Sequence, residues 1–169
     1  DIDSACVMLY NSSTNSWRKA TTIPAAASLN FGGFARAGDK LLYICGTDGF
    51  GSSNYFNTVY IGTISQQNRA HITWKTGTAF PGQTRSFFDA HTWMNNCVIM
   101  TGGSTNNGFD TWSDECYVFN PANETWTQLP NKPTAWLTGQ SGTVKLANNS
   151  WELICAGGFS EAYITKTEL

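Results

Sequence analysis

Few residues in this sequence are of types that do chemistry, and their spacing keeps them apart. The two histidines, His71 and His91, have no second imidazole at a metal-ligand interval, and each reads as a structural side chain. Asp48, Asp89, Asp110 and Asp114 lie in or beside turn-rich segments. Any one of them could move a proton on a sugar, but a solvated loop carboxylate is the simpler reading. The five cysteines, Cys6, Cys45, Cys97, Cys116 and Cys155, form no C-x-x-C pair, which argues against zinc. All sit in or beside apolar runs and read as small buried hydrophobes, and an odd count leaves at least one thiol unable to pair within the chain. Gly46-x-x-Gly49-x-Gly51 opens no helix, so it is a loop and not a phosphate cradle. No catalytic residue, metal or cofactor is expected.

The elements that carry these residues are strands. Of the 169 residues, 13% are charged and 14% aromatic, a balance opposite to that of a disordered chain. Net charge is −2 and the ten Lys and Arg are scattered singly, so no basic field exists to hold nucleic acid. No apolar run approaches the ~18 residues of a membrane helix, and no signal peptide is visible from Asp1 onward. Short β-branched or aromatic runs bounded by Gly, Asn, Ser and Thr dominate, as in Lys40–Cys45, Cys97–Met100 and Glu115–Phe119. Apolar spacing of three and four is absent. The pattern is all-β.

The runs repeat. An apolar strand ending in glycine recurs at Leu42–Gly46 (with Gly49 following), Val98–Gly103 and Leu153–Gly158. Gly49, Gly103 and Gly158 are taken as its phase markers, spaced by 54 and 55. An aromatic precedes a tryptophan by seven positions at Tyr10/Trp17 and again at Phe119/Trp126, across hairpin turns. Trp17, Trp74 and Trp126 are spaced by 57 and 52.

These features together resemble the kelch family, whose repeat is a four-stranded β-propeller blade of about 50 residues. In that family a Gly-Gly pair ends the second strand. The third carries an aromatic, and a turn like Asp-Pro-x-x-Asn-x leads to a Trp opening the fourth. Phe119-Asn120-Pro121-Ala122-Asn123-Glu124-Thr125-Trp126 matches well, Tyr10 to Trp17 more loosely, and Gly46-Thr47-Asp48-Gly49 departs. The resemblance implies that Trp17, Trp74 and Trp126 fill the core between blades. It also implies a binding scaffold more than an enzyme. Kelch-fold copper oxidases need two His, two Tyr and a Tyr–Cys link, which this chain does not supply alone. Propeller sialidases need an arginine cluster and repeated Asp-boxes, whereas only Arg18, Arg36, Arg69 and Arg85 are present here.

Residues 1–169 are thus expected to form one arc of about three blades, split at both ends. The parts are a partial blade at 1–30, blades at 31–80 and 81–132, and a partial blade at 133–169. Propellers close with four to eight blades. A second copy closing a six-bladed ring, or missing repeats of a longer chain, would complete it.

Strand order then fixes two loop faces. Second-to-third and fourth-to-first loops emerge together, and here they are long and aromatic, a composition suited to recognition. Phe50, Tyr55, Arg85, Phe109, Trp112 and Trp136 are the candidate binding residues there. The opposite face carries three N-x-[S/T] sequons, at Asn11, Asn123 and Asn148. They suggest glycosylation and an extracellular, secreted protein, with a cytoplasmic one as the alternative. The expected function is a non-catalytic module binding a protein or glycan. The alternatives are a sugar-modifying propeller enzyme of mutarotase or epimerase type, or a structural component of an extracellular assembly.

Overall fold

A computed structural model describes residues 5–25, 29–105, 111–159 and 167–168. Thirteen strands form four antiparallel sheets among them. Strands β1 (Cys6–Asn11) and β2 (Ser16–Thr22) make a hairpin. The next sheet, blade A, orders β3 (Gly33–Ala37), β4 (Lys40–Ile44), β5 (Val59–Ile64) and β6 (Ile72–Thr76) in sequence. Blade B repeats it with β7 (Asp89–Trp93), β8 (Cys97–Thr101), β9 (Cys116–Asn120) and β10 (Thr125–Leu129). The last sheet holds β11 (Gln140–Lys145), β12 (Trp151–Ala156) and the two-residue β13 (Thr167–Glu168). Up-and-down sheets of four packed face to face are the blades of a β-propeller arc. No helix of the described residues is long and apolar enough to cross a membrane.

The core lies between sheets. Leu42, Ile44, Val59 and Ile61 of blade A meet Phe88, Val98, Met100 and Phe119 of blade B in one buried cluster. The opposite face of blade A turns Tyr43, Tyr60 and Trp74 toward Ala5, Val7 and Ile23 around the first hairpin. Each blade must therefore be apolar on both faces, which is why β5 and β8 read as continuous apolar runs.

Backbone hydrogen bonds repeat across these junctions. Phe87 N–H donates to the Phe31 carbonyl at 2.8 Å, and Thr138 N–H to the Phe87 carbonyl at 2.9 Å. Gly46 N–H donates to the Arg85 carbonyl and Gly103 N–H to that of Trp136, at 2.9 and 2.8 Å. Thr92 and Thr143 add hydroxyl bonds to the Arg36 and Thr92 carbonyls. The sheets are thus tied by a ladder running from blade to blade as well as by packing.

That ladder corrects the repeat phase. Gly102–Gly103 and Gly157–Gly158 share positive φ values of 74° and 99°, and 66° and 109°. In blade A the residues with this geometry are Cys45 and Gly46, at 54° and 101°. Gly49 has no such conformation and stands in open space. A cysteine at the first glycine position hid the true match.

One core expectation fails. Trp126 packs on Phe80 and Phe119 with ring centroids 5.1 and 4.7 Å away, and its Nε1 donates to the Thr78 carbonyl. Trp74 packs on the hairpin side of blade A. Trp17, however, is 67% exposed, because no described sheet lies before the hairpin that carries it.

Candidate functional site

The loop face carries an aromatic cluster. Phe31 and Phe87 each end a fourth-to-first loop, just ahead of inner strands β3 and β7. Both hold positive φ, 56° in each case, as does Thr138 at the same repeat position with 55°. Bulky side chains rarely take this backbone. Here these three residues are the ones joined by the inter-blade ladder, Phe87 N–H to the Phe31 carbonyl and Thr138 N–H to the Phe87 carbonyl. Phe31 and Phe87 stack at 4.3 Å between centroids with a 23° interplanar angle. Phe50, from the β4–β5 loop, sets its edge on both rings at 6.1 and 6.5 Å. Phe50 is 76% exposed and Phe31 40%. Beside Phe50, Asp48 accepts a 2.7 Å hydrogen bond from Asn54 Nδ2. Bonds from Ser52 and Asn54 hold its carboxyl below the usual range.

Among the described residues, Phe50 alone of the expected binding residues joins this cluster. Phe31 and Phe87 were missed. The signal for them is an aromatic recurring 56 positions apart directly before each inner strand. Tyr55 is half-buried, its backbone bridged to Thr47. Trp112 is half-buried and meets Phe159 edge-on at 5.9 Å. Phe109 lies outside the described residues, as does Asp110.

Arg85 and Trp136 are corrections, since both are buried. They occupy one repeat position, the residue whose carbonyl accepts the glycine N–H of the preceding blade. The Arg85 guanidinium pairs with Glu115, donates to Ser113 Oγ at 3.0 Å and the Gly102 carbonyl at 3.3 Å, and lies 4.8 Å from the Phe80 ring. At the next junction the types are exchanged, with Lys132 Nζ 3.9 Å from the Trp136 ring. Phe80 and Lys132 are equivalent, because their N–H groups bond to the Asn57 and Asp114 carbonyls. The same buried cation–π pair is thus built with its partners swapped.

The other chemistry-bearing residues serve as ties. Asp89 accepts from Ser141 N–H at 2.5 Å and lies 3.7 Å from His91 Nε2, bolting blade B to the last sheet. Asp114 accepts from Asn131 Nδ2 at 3.0 Å. His71 sits in the exposed β5–β6 turn. The five cysteines form no disulfide, and burial pushes the Cys45 thiol up to about 12. No three His, Cys, Asp or Glu gather into a metal-holding group among the described residues.

On the opposite face, Asn123 Oδ1 accepts from Thr125 Oγ1 at 2.7 Å, and Asn148 Oδ1 from Ser150 Oγ at 2.6 Å. Asn11 Oδ1 accepts from Ser13 N–H at 2.9 Å. All three are exposed and in Asx geometry, Asn11 at the end of β1 and Asn123 and Asn148 within turns.

No protein-family profile matches the chain, and no curated protein matches it. Solved structures do, among them one titled "Structure of YjhT", with a TM-score of 0.74 at 16% identity. The match covers 96% of this chain and 48% of that one, so this chain spans about half its length. At that identity the likeness is one of fold, and it agrees with the propeller arrangement of the blades.

Proposed function

We propose that this chain is a kelch-type, non-catalytic binding module that takes a protein ligand on its loop face, around Phe31, Phe50 and Phe87. The observation that carries this is the stacked pair of Phe31 and Phe87 just ahead of β3 and β7, with the 76% exposed Phe50 set on their edges. Aromatic rings fixed on a scaffold are the usual anchors of protein recognition. Phenylalanine offers no polar handle, which suits an apolar side chain of a partner. A glycan stacked on the open face of Phe50 is the second reading, supported by the 76% exposure of that ring. The glycine-pair backbone and the Trp126 turn support the kelch assignment.

The test is selection of peptides on the immobilised chain, alongside a glycan array, with Phe50→Ala as comparison. Peptides that bind the native chain and lose at least about tenfold affinity on Phe50→Ala, a loss of about 1.4 kcal/mol, support the proposal. Peptides indifferent to Phe50→Ala would sink it. Glycans that depend on Phe50 would replace it with the second reading.

The sequons support an extracellular protein glycosylated on the face opposite the cluster. Protein secreted from eukaryotic cells should lose mass when its N-glycans are removed enzymatically. Unmodified Asn123 in that protein counts against the extracellular reading.

A further inference from the structure

We propose that the protein segment taken by the phenylalanine cluster carries an arginine beside its apolar anchor, with the guanidinium lying on the Phe50 ring and paired with the Asp48 carboxylate. This rests on the protein-ligand reading of the cluster and names a side chain which that reading leaves open.

Two groups of the β4–β5 loop make the seat. Phe50 is 76% exposed, and an open ring face attracts a cation through its quadrupole. Asp48 stands two residues earlier, so the two Cα atoms lie within about 7 Å of each other. The loop holds both in place. Ser52 N–H donates to the Gly49 carbonyl at 3.2 Å and Asn54 N–H to Ser52 Oγ at 3.0 Å. Asn54 Nδ2 donates to the Asp48 carboxylate at 2.7 Å, and a backbone bridge between Thr47 and Tyr55 closes the base.

Asp48 has no ion pair among the described residues. The acids that meet a cation there are Asp39, Glu124, Glu115 and Asp89. The contacts of Asp48 are instead the neutral side chains of Ser52 and Asn54. An ionised carboxylate offers about four acceptor sites, so these bonds leave room for a donor from a partner. They also keep the carboxyl ionised at neutral pH.

The core of the same chain shows the full set of groups. The Arg85 guanidinium lies 4.8 Å from the Phe80 ring and pairs with Glu115. On the loop face this chain supplies the ring and the carboxylate only. A purely apolar segment would press against an ionised group without answering its charge, whereas a basic one answers it. Arginine suits the seat better than lysine, because a planar guanidinium stacks on a ring while its edge pairs with a carboxylate. Phe31 and Phe87, stacked at 4.3 Å, are left for the apolar anchor.

Selection from a random peptide library on the immobilised chain, followed by affinities of single peptides, tests this. Binders that depend on Phe50 should be enriched in arginine next to an apolar residue. Replacing that arginine by glutamine should weaken binding about three- to thirtyfold, the combined effect of an exposed ion pair and a cation–π contact. Asp48→Asn keeps an acceptor for Asn54. It should weaken the arginine peptide about two- to fivefold and leave the glutamine peptide unchanged. Binders that depend on Phe50 yet lack arginine overturn this inference and leave the protein reading of the cluster standing. So do arginine and glutamine peptides weakened equally by Asp48→Asn, since that would report loop shape and not pairing. Binders indifferent to Phe50→Ala, or a library without binders, overturn both.

Discussion

Trp126 and Trp17 open the same strand of the same repeat, yet one is wedged under a neighbouring blade and the other stands in solvent. Their hairpins have matching register. Only the neighbour differs. In a stack of sheets the core is assembled between repeats, so burial belongs to the junction and not to the residue. The comparison separates the features that stabilise the arc through a described junction from those that do not.

The largest effect is expected at the centre of the complete A–B junction. Arg85→Ala removes a fully buried cation from Glu115, Ser113 and Phe80 together. Removing one partner of a fully buried pair costs about 3–5 kcal/mol, and the 30% exposure of the Glu115 left behind puts this loss near the lower end. At the exchanged pair, loss of the cation–π contact between Lys132 and Trp136 on Lys132→Ala should cost about 1–2 kcal/mol. Urea unfolding compares them. Equal losses would mean that the swap preserves energy as well as geometry, and would remove the contrast.

The glycines sharpen the contrast next. Gly102 and Gly157 are repeat equivalents with φ of 74° and 66°. A Cβ on Gly102 would lie 2.8 Å from the Trp136 carbonyl and 2.9 Å from its ring, whereas one on Gly157 meets nothing within 4 Å. Gly157→Ala should therefore cost only the left-handed strain, about 1–2 kcal/mol. Gly102→Ala should add an overpacking penalty of about 1–3 kcal/mol. Thermal melts of both variants check the order, and a larger loss for Gly157→Ala would show that its side of the sheet is already covered.

The tryptophans themselves come third. Trp126 is half-buried, and Trp126→Ala should cost about 2 kcal/mol, below the 3–5 of a fully buried ring. Trp17→Ala in a single chain should stay within about 0.5 kcal/mol. A comparable loss at Trp17 would show that the ring is covered in solution and would remove the contrast.

These contrasts also explain what the sequence could and could not disclose. The strand Cys97–Thr101 was legible because a sheet covered on both faces must be continuously apolar. The exposure of Trp17 was not, since its type and spacing equal those of Trp126. Cys45 in a glycine conformation shifted the apparent repeat phase by three residues, to Gly49. Arg85 and Trp136 looked like loop anchors because each was read alone. In register, Phe80/Arg85 and Lys132/Trp136 are one buried pair with its types exchanged. Of the loop-face cluster, Phe50 was visible by composition, but Phe31 and Phe87 required knowing that the fold brings residues 56 positions apart into one stack.

The smallest effect expected is at the outer rim, and it depends on pH. The hydrogen bond from Lys75 holds the Glu124 carboxyl below its ordinary value of 4.5. A depressed acid stabilises the fold above its unfolded value and loses that contribution as pH falls through the folded one. The Lys75–Glu124 tie should thus be fully present at neutral pH and fade below 4.5. Glu124→Gln should melt slightly below the native chain at neutral pH, with the difference vanishing in acid. Asn15, its uncharged counterpart on the first hairpin, supplies the control, because Asn15→Gln should leave the pH profile unchanged. If the native and Glu124→Gln profiles stay parallel into acid, the rim contact is solvent-screened and the A–B junction is held by its buried centre alone.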